Sequence, residues 1–371
     1  MNLQGTKWKE FFISGNDGIF QITATSSGAD KNKLDLSDGK IPYITRSNEN
    51  NGINLFIPDG QKASNGNAAA KDQKLIKDKG NTITIGLDTQ TAFYQPHDFY
   101  TGQNIHVLKY QYMDRDVAQF IVTMLKVQLQ KFSWGGNGAT LGRLARTKIM
   151  LPVNKNDEPD VDFMRNYSKA LKKSLSDKYI QYCKNKLKLL GDITEIPSLT
   201  DKTWSDFSIV KIFDKFQAGK SKGLNHLSTV KNGGIQYIAA TNRNNGVSCF
   251  VKEDDTSKKY IQKGNCIGFI KNGDGSAGYA IYKAKQFIST SDVIFGYADW
   301  LDEFTGLFFV AAQDMIQDKY SHGYKRNQQH LKGDKVMLPS NDNGEPDYDY
   351  MRQYMKNLMI KKYQSYLDYT K

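Results

Sequence analysis

Apolar side chains recur every three or four residues in two long segments of the chain. This spacing gathers them on one face of a helix and predicts helices at about 160–190 and 347–371, with Gly191 ending the first. Two helices with matching apolar faces can pair as an antiparallel coiled coil; alternatively, each face packs only on its own domain. The apolar positions are Met164, Tyr167, Leu171, Leu175, Tyr179, Cys183, Leu187 and Leu190, and then Met351, Tyr354, Met355, Leu358, Met359, Tyr363 and Tyr366.

Short β-like runs, interrupted by Gly, Asn and Asp, precede each long helix. They fall at 41–45, 82–87 and 104–108 in the first half and at 236–240, 266–270 and 293–297 in the second. A shorter helical pattern follows them at about 115–131 and 304–319. The predicted fold class is therefore mixed α/β (α+β), with a long amphipathic helix closing each half.

The two halves repeat one another. Lys-Ile-Met-Leu-Pro at 148–152 returns as Lys-Val-Met-Leu-Pro at 335–339, and Trp-x-x-Phe at 8–11 returns at 204–207. A period near half the chain length indicates two copies of one domain, related by pseudo-twofold symmetry if their helices pair. The predicted divisions are domains 1–147 and 196–334, each followed by a connector with its helix, 148–195 and 335–371.

Composition and charge narrow the class of protein. The formal net charge of +12 indicates a polyanionic partner such as nucleic acid. The chain shows no apolar leader segment and no stretch of 18 apolar residues, and its three cysteines lack metal or disulfide spacing. We therefore expect a soluble, cytoplasmic protein without a membrane partner, and an exposed loop over the Ala-rich run at 63–70.

No catalytic motif stands out. The chain has no Pro-Pro dipeptide of the kind found in DNA methyltransferase motifs, and Gly219-Lys220-Ser221 lacks the first glycine of a phosphate-binding loop. The five histidines, including His322, show no metal or triad spacing. Asp160 and Asp347 could belong to a metal-dependent nuclease, but each follows a proline at a helix start, where an acidic residue favours the helix dipole.

Loops at equivalent places in both halves carry side chains suited to DNA. Arg can bind guanine and Asn can bind adenine in the major groove, whereas Lys and Arg neutralise phosphates. The Asn51-Gly52 and Asn245-Gly246 pairs are better explained as turns. The candidate DNA-binding residues are Lys31, Lys33, Arg46, Asn48, Asn50, Asn137, Arg143, Arg146, Lys220, Lys222, Asn242, Arg243, Asn244, Lys325, Arg326 and Gln328.

These repeated features together resemble a known family. The duplicated module, its Trp-x-x-Phe-x-Ile opening, the Ile-x-Tyr-Ile strand with an Asn-Asn-Gly turn, the Leu-Pro exit and the trailing helix are similar to those of DNA specificity (S) subunits of restriction-modification systems. That family includes type I S subunits and type IIB, BcgI-like S subunits. Helices this short favour the BcgI-like branch or a short gap between half-sites.

The resemblance implies a non-catalytic function. Each target recognition domain would read one half of an asymmetric, bipartite site in double-stranded DNA, and the helices would space the domains and bind DNA methyltransferase subunits. Helix residues expected to pack there are Met164, Tyr167, Leu171, Leu175, Tyr179, Met351, Tyr354 and Leu358. This chain would bind no cofactor; S-adenosylmethionine, and Mg²⁺ where a restriction subunit joins the complex, would belong to partner subunits.

Two other classes remain open at this point. A metal-dependent nuclease with an unrecognised site would require cleavage by the isolated chain. A tandem adhesion or protein-interaction module would require that the chain not bind duplex DNA. The missing export signal and the positive charge disfavour the second of these.

Overall fold

Strands and helices follow one another in the same order in both halves of the chain. The computed structural model describes residues 3–63, 73–133, 135–231, 233–273, 275–321 and 323–371. Residues 64–70 of the predicted exposed loop, and His322, lie outside the described residues. The chain divides after Tyr179 into a first and a second unit, so the helix that begins at Val161 spans the division.

The first unit contains eleven strands among its described residues. They are β1 (Trp8–Phe12), β2 (Gln21–Ala24), β3 (Ile41–Ile44), β4 (Ile53–Ile57), β5 (Lys62–Ala63), β6 (Gln73–Lys74), β7 (Thr82–Gly86), β8 (Ala92–Gln95), β9 (Tyr100–Thr101), β10 (Ile105–Lys109) and β11 (Lys148–Pro152). The helices are α1 (Arg115–Leu129), α2 (Leu141–Ala145) and the long α3 (Val161–Leu190).

The second unit repeats this order with ten strands in its described part. They are β12 (Trp204–Ser208), β13 (Lys215–Ala218), β14 (Thr229–Val230), β15 (Ile235–Ile238), β16 (Val247–Val251), β17 (Cys266–Ile270), β18 (Ala280–Lys283), β19 (Phe287–Ser289), β20 (Val293–Tyr297) and β21 (Lys335–Pro339). The helices are α4 (Ile209–Ile212), α5 (Glu303–Gln313), α6 (Gln328–Lys332) and α7 (Tyr348–Tyr369).

Equivalent sheets have equivalent topology. Each unit has a four-stranded antiparallel sheet, in the order β2-β10-β7-β8 and β13-β20-β17-β18. A second sheet contains one parallel pair, β3 with β9 and β15 with β19. The first strand of each unit pairs antiparallel with its last, β1 with β11 and β12 with β21. The mixed α/β fold with two tandem domains, predicted from the sequence, is confirmed.

The core of each unit lies between the four-stranded sheet and the helix that follows it. Seven apolar or small residues of α1 are buried, which is the stripe that the sequence periodicity predicts. The tryptophan of the opening motif stacks on a phenylalanine of this helix in both units, with ring centroids 6.1 Å apart for Trp8 and Phe120 and 6.2 Å apart for Trp204 and Phe308. The repeated Trp is therefore partly buried and packs against the core of its unit.

Aspartate side chains fix the starts of these core helices. Asp114 accepts hydrogen bonds from the Val117 and Asp116 amides, and Asp302 forms a capping box with Thr305. Burial raises the pKa of Asp114, yet hydrogen bonds from Val117 and from Arg165 outweigh this effect and hold that pKa below its usual value.

Helix bounds agree closely with the sequence. The predicted helical segment at about 304–319 is present as α5 followed directly by a 3₁₀ helix over residues 314–319. The side chain of Asp314 accepts a hydrogen bond from the Ala280 amide of β18, which ties the chain to the sheet at this point. No helix in the described part of the chain is both long and apolar enough to cross a membrane.

Candidate nucleic-acid interface

An Asn-Asn-Gly turn with left-handed backbone links two strands in each unit. The Asn51 side-chain amide donates to the Tyr94 carbonyl over 2.8 Å, and the Asn245 amide donates to the Tyr282 carbonyl over 2.9 Å. The residues with positive φ are Asn50, Asn51, Gly52, Asn244, Asn245 and Gly246. Asn and Gly tolerate this conformation best, so the interpretation of the Asn-Gly pairs as turns is confirmed.

A buried side chain donates a hydrogen bond to the backbone of each turn. Gln95 donates from Nε2 to the Asn51 carbonyl over 3.0 Å, and Lys283 donates from Nζ to the Asn245 carbonyl over the same distance. Lys283 is only 2% exposed, and burial lowers the pKa of its ammonium to about 8. The two turns are therefore held at the same place, by a neutral amide in one unit and by an amine in the other.

A second loop, which follows β7 or β17, contacts the turn in each unit. Nη1 of Arg46 lies 2.8 Å from the Asp88 carboxylate in the first unit. In the second unit, the Ser276 hydroxyl donates to Oδ1 of Asn242 over 3.0 Å. Different side chains thus join equivalent loops.

A third loop, which precedes α2 or α6, binds the backbone of the second loop. The Ala139 amide donates to the Leu87 carbonyl over 2.5 Å, and the Arg326 amide donates to the Lys271 carbonyl over 3.1 Å. We call the three joined loops the three-loop surface of each unit. It comprises the described residues of 45–52, 86–91 and 133–140 in the first unit and of 239–246, 271–279 and 321–327 in the second.

Most of the residues that the sequence singled out for DNA lie on these surfaces or at their borders. Arg46, Asn48, Asn50 and Asn137 are exposed on the first surface, and Asn242, Arg243, Asn244 and Lys325 on the second. Arg146 is exposed just after α2, and Gln328 is exposed at the start of α6. Each three-loop surface therefore gathers amide and cationic groups from segments far apart in sequence.

The other four candidate lysines lie elsewhere, between the second and third strands of each unit. Lys31, Lys33, Lys220 and Lys222 are all exposed. Lys31 Nζ donates to the side chain of Asn54 in β4 over 3.1 Å, just beyond the Asn-Asn-Gly turn. The Lys220 amide is held by the Gln262 side chain over 2.9 Å. These lysines stay predicted phosphate contacts, and they lie outside the three-loop surfaces.

Two of the candidate arginines support the loops. Arg143 donates from its two terminal nitrogens to the carbonyls of Gly138 and Gly136, each over 2.9 Å. Arg326 is fully buried, and its Nε lies 2.8 Å from a carboxylate oxygen of Asp334. A fully buried guanidinium reaches neither a base nor a phosphate, so the prediction of Arg326 as a DNA contact is wrong.

The long helices begin in the cores of their own units. Met164 and Met351 are fully buried there, and Tyr167 and Tyr354 pack against the same clusters. At these four positions the alternative interpretation, packing on the own domain, is the correct one. Further along, four stripe residues are exposed: Leu171, Leu175, Tyr179 and Leu358.

An apolar groove borders the exposed stretch of α3 in the first unit. Its lining includes Trp8, Phe120, Met124, Tyr167 and Leu171. The last turns of α3 belong to the second unit, where the Tyr182 and Tyr363 rings meet edge to face with centroids 5.9 Å apart. The stripe of α3 is therefore buried at Met164, exposed from Leu171 to Tyr179, and buried again at Cys183.

The aspartates considered for metal chemistry act as helix caps. Oδ1 of Asp160 accepts from the Phe163 amide and Oδ1 of Asp347 from the Tyr350 amide, each over 2.9 Å. Lys202 also lies 2.7 Å from the Asp347 carboxylate. Within the described residues, no group of three or more His, Cys, Asp or Glu could hold a metal ion. The capping interpretation is confirmed.

Sequence reasoning missed a second repeated contact that fixes each turn region. Asn81 donates to the Met113 carbonyl and accepts from the Tyr94 hydroxyl, both over 3.0 Å. Asn265 makes the corresponding bonds to Leu301 and Tyr282. The repeated Gly-Asn dipeptide before β7 and β17 was the available signal.

The two units therefore repeat one α/β domain, with an equivalent three-loop surface in each. The family model described as "Type I restriction modification DNA specificity domain" matches residues 6–179 and again 201–366. The chain therefore belongs to this family and contains two copies of its domain.

A particular relative matches along nearly the whole chain. It is the specificity subunit S.BcgI of a type II restriction enzyme from Heyndrickxia coagulans, 29% identical over 361 residues, which cover 96% of this chain and 95% of the relative. Among solved structures, a type I S subunit from M. genitalium covers 99% of this chain and 93% of its own, at 16% identity and a TM-score of 0.47. The HsdS subunit from Thermoanaerobacter tengcongensis covers 94% and 96%, at 10% identity and a TM-score of 0.28.

Proposed function

We propose that each three-loop surface reads one half of an asymmetric, bipartite site in double-stranded DNA. One observation carries this proposal: in both units the second and third loops are joined by the same backbone contact and the first and second by side chains, whereas the exposed side chains on the loops differ. A fixed support with variable exposed Arg, Lys and Asn residues is what base readout requires. The net charge of +12 supplies the salt-dependent attraction to phosphates.

The catalytic partner is a DNA methyltransferase that flips and methylates an adenine. In this proposal S-adenosylmethionine, and Mg²⁺ where a nuclease subunit joins, bind to the partner subunits, and the complex acts in the cytoplasm. The relative S.BcgI is itself named as part of a restriction enzyme, which supports assembly with catalytic subunits.

The helices supply the contacts for assembly and spacing. Leu171 and Leu175 are exposed, at 49% and 58%, beside the apolar groove of the first unit. Exposed leucines bordering an apolar groove are typical of protein interfaces. We assign this stretch to methyltransferase binding, and the apolar positions of α3 after Tyr179 and of α7 after Tyr354 to an antiparallel spacer.

The first experiment measures methylation in cells. Genomic DNA would be read by single-molecule sequencing from cells expressing this chain, the methyltransferase encoded beside it, or both. We expect a bipartite adenine-methylated motif only when both proteins are present. An unchanged methylation pattern despite an active methyltransferase would contradict the proposal.

A second experiment tests the assembly surface. Changing Leu171 and Leu175 together to Asp should abolish methylation, because charges would line the apolar face, while DNA binding by the chain alone persists. The matched control changes Lys172 and Lys173, exposed on the same helix, to Asp. Equal loss of methylation in both double variants would show that charge, not the apolar contact, matters.

A further inference from the structure

Tyr324 is an exposed aromatic residue on the third loop of the second unit. Its ring is 44% exposed, although the backbone around it is tightly held. The amides of Ser321 and Tyr324 each donate to the carbonyl of the other residue over 3.1 Å. The ring therefore projects from a closed turn, which limits its freedom before any ligand binds.

His330 covers one face of this ring. The two rings stack with centroids 4.3 Å apart and planes 19° apart. The Nδ1 atom of His330 lies 2.6 Å from the Lys325 carbonyl, which can only accept, so Nδ1 carries a proton and donates. The His330 amide also donates to the Asn327 side chain over 2.8 Å. The histidine is thus fixed by the same loop that carries the tyrosine.

Tyr320 also stacks on Tyr324, but on the face that His330 covers. The planes of Tyr320 and Tyr324 are 16° apart with centroids 5.8 Å apart, and the centroids of Tyr320 and His330 are 6.5 Å apart. Two rings stacked on opposite faces of Tyr324 would be separated by two ring spacings, about 7 Å or more. The second face of Tyr324 is therefore not covered by either ring. Tyr320 is itself anchored, since its hydroxyl donates to buried Asp334 over 2.6 Å.

The surroundings of this open face are those of a nucleic-acid site. Exposed Lys325 follows directly, and the loop is joined through residues 271–279 to the turn that carries Asn242 and Arg243. Aromatic side chains stack on bases, and rigid aromatic groups inserted at a base step partly unstack it.

We propose that Tyr324 stacks its open face on a nucleobase in the second half-site, as a wedge at one base step. The inference rests on the proposed function and extends it to one residue. In the first unit Asn137 pairs with Ser133 as Tyr324 pairs with Ser321, and its amide is bonded to the Lys131 carbonyl. Among the described residues, an amide side chain therefore takes the place of Tyr324 in the first unit.

The test uses the full chain and a duplex that carries the motif found by methylation sequencing. The fluorescent base 2-aminopurine replaces each base of the second half-site in turn. We expect wild type and Tyr324→Phe to change the fluorescence at one position, and Tyr324→Ala to abolish that change and weaken binding about tenfold. His330→Ala should give a smaller loss with the same position affected.

Asn137→Ala provides the matched control in the first unit, and thermal unfolding checks that each variant is folded. If Tyr324→Ala keeps wild-type affinity and the wild-type fluorescence profile, the wedge is refuted while the two-surface function stands. If wild type itself gives no bipartite motif and binds no duplex, the proposed function fails first. Suppose instead that wild type changes the fluorescence at many positions and that Tyr324→Ala, with normal unfolding, loses the change at all of them. This result would also refute a contact at a single base step.

Discussion

The third loops of the two units are held in different ways. In the first unit, half-buried Arg143 binds two glycine carbonyls of its own loop. In the second, fully buried Arg326 forms an ion pair with Asp334, where the first unit has Ala139 and Thr147. The backbone contact between loops is nevertheless the same in both. The third loop therefore has the same position in both units, although its side-chain support is half-buried in the first unit and fully buried in the second.

Other contacts of the scaffold are almost the same in the two units. Arg165 lies 2.6 Å from Asp114, and Arg352 lies 2.5 Å from Asp302, so each long helix is tied to the start of the core helix of its unit. Differences accumulate in the exposed loops and in what supports them. This separation explains how two similar domains can read different sequences.

The largest difference in stability between the two units should appear when the arginines that support their third loops are removed. Arg326→Ala leaves buried Asp334 without its main partner and should lower the free energy of unfolding of the second unit by about 3–4 kcal/mol. Arg143→Ala should cost the first unit about 1 kcal/mol, because its hydrogen bonds are partly exposed. Native-state hydrogen exchange would measure each unit separately.

The control replaces both members of the buried pair. A double variant, Arg326→Met with Asp334→Leu, should recover most of the lost stability, since no charge then remains buried. Equal costs for Arg326→Ala and Arg143→Ala would show that the two supports are equivalent.

The supports beneath the turns differ in their response to pH. The folded pKa of Lys283, about 8, lies below the ordinary value of 10.5, so the folded second unit loses this proton first. Between these pH values the unfolded chain binds more protons, and stability rises with pH. Lys283→Gln, which copies Gln95, should stabilise the second unit by about 3 kcal/mol below pH 8.

This advantage should vanish as the pH approaches 10.5. Unfolding of wild type and Lys283→Gln would be compared from pH 7 to 10, with exposed Lys285→Gln as the control. A difference in stability that stays constant with pH would mean that the Lys283 ammonium is not penalised by burial.

Removing a contact that both units share should cost them equally. Asn81→Ala and Asn265→Ala each lose two hydrogen bonds at a residue with positive φ, and each should lower the stability of its own unit by about 2 kcal/mol. The corresponding Gly variants keep the backbone conformation and isolate the hydrogen bonds. Clearly unequal effects would contradict a duplicated scaffold.

The smallest expected difference between the two units is in how much an arginine of each contributes to DNA affinity. Within the described residues no ion pair holds the Arg243 guanidinium, whereas Arg46 is paired with Asp88. Arg243→Ala should weaken binding to the specific duplex by about 1 kcal/mol, and Arg46→Ala by less. Asp88→Asn should release Arg46 and enlarge the effect of its removal. Titrations at one salt concentration would decide this, and a larger loss for Arg46→Ala would reverse the assignment.

The sequence predicted the repeated elements well because periodic apolar positions and turn residues are local signals. It gave the bounds of α3 almost to the residue, and Gly191, at φ 75°, follows its last turn. The prediction for Arg326 was wrong because this residue lies between Lys325 and Asn327 in a polar loop. Its burial depends on contacts with Asp334 and, from distant segments, with Gly278 and Gln313.

The three-loop surfaces could not be predicted for a related reason. The bonds between their loops join residues far apart in sequence, from 34 positions for Ser276 and Asn242 to more than fifty for Leu87 and Ala139. No spacing rule in a single sequence relates such positions. Individual loop residues could be proposed by chemistry, but their meeting depends on how the sheets bring the loops together.

The pairing of the first strand with the last strand in each unit bears on how such proteins change over generations. Because β1 pairs with β11 and β12 with β21, each reading surface enters and leaves its unit through two neighbouring strands, about 5 Å apart. Genetic exchange with breakpoints in these two strands would transplant a whole three-loop surface together with its core helix. An incoming segment that keeps the equivalents of Asp114 and Phe120 would preserve the contact with the trailing helix. A new pairing of half-sites would then require recombination alone, without gradual redesign of the scaffold.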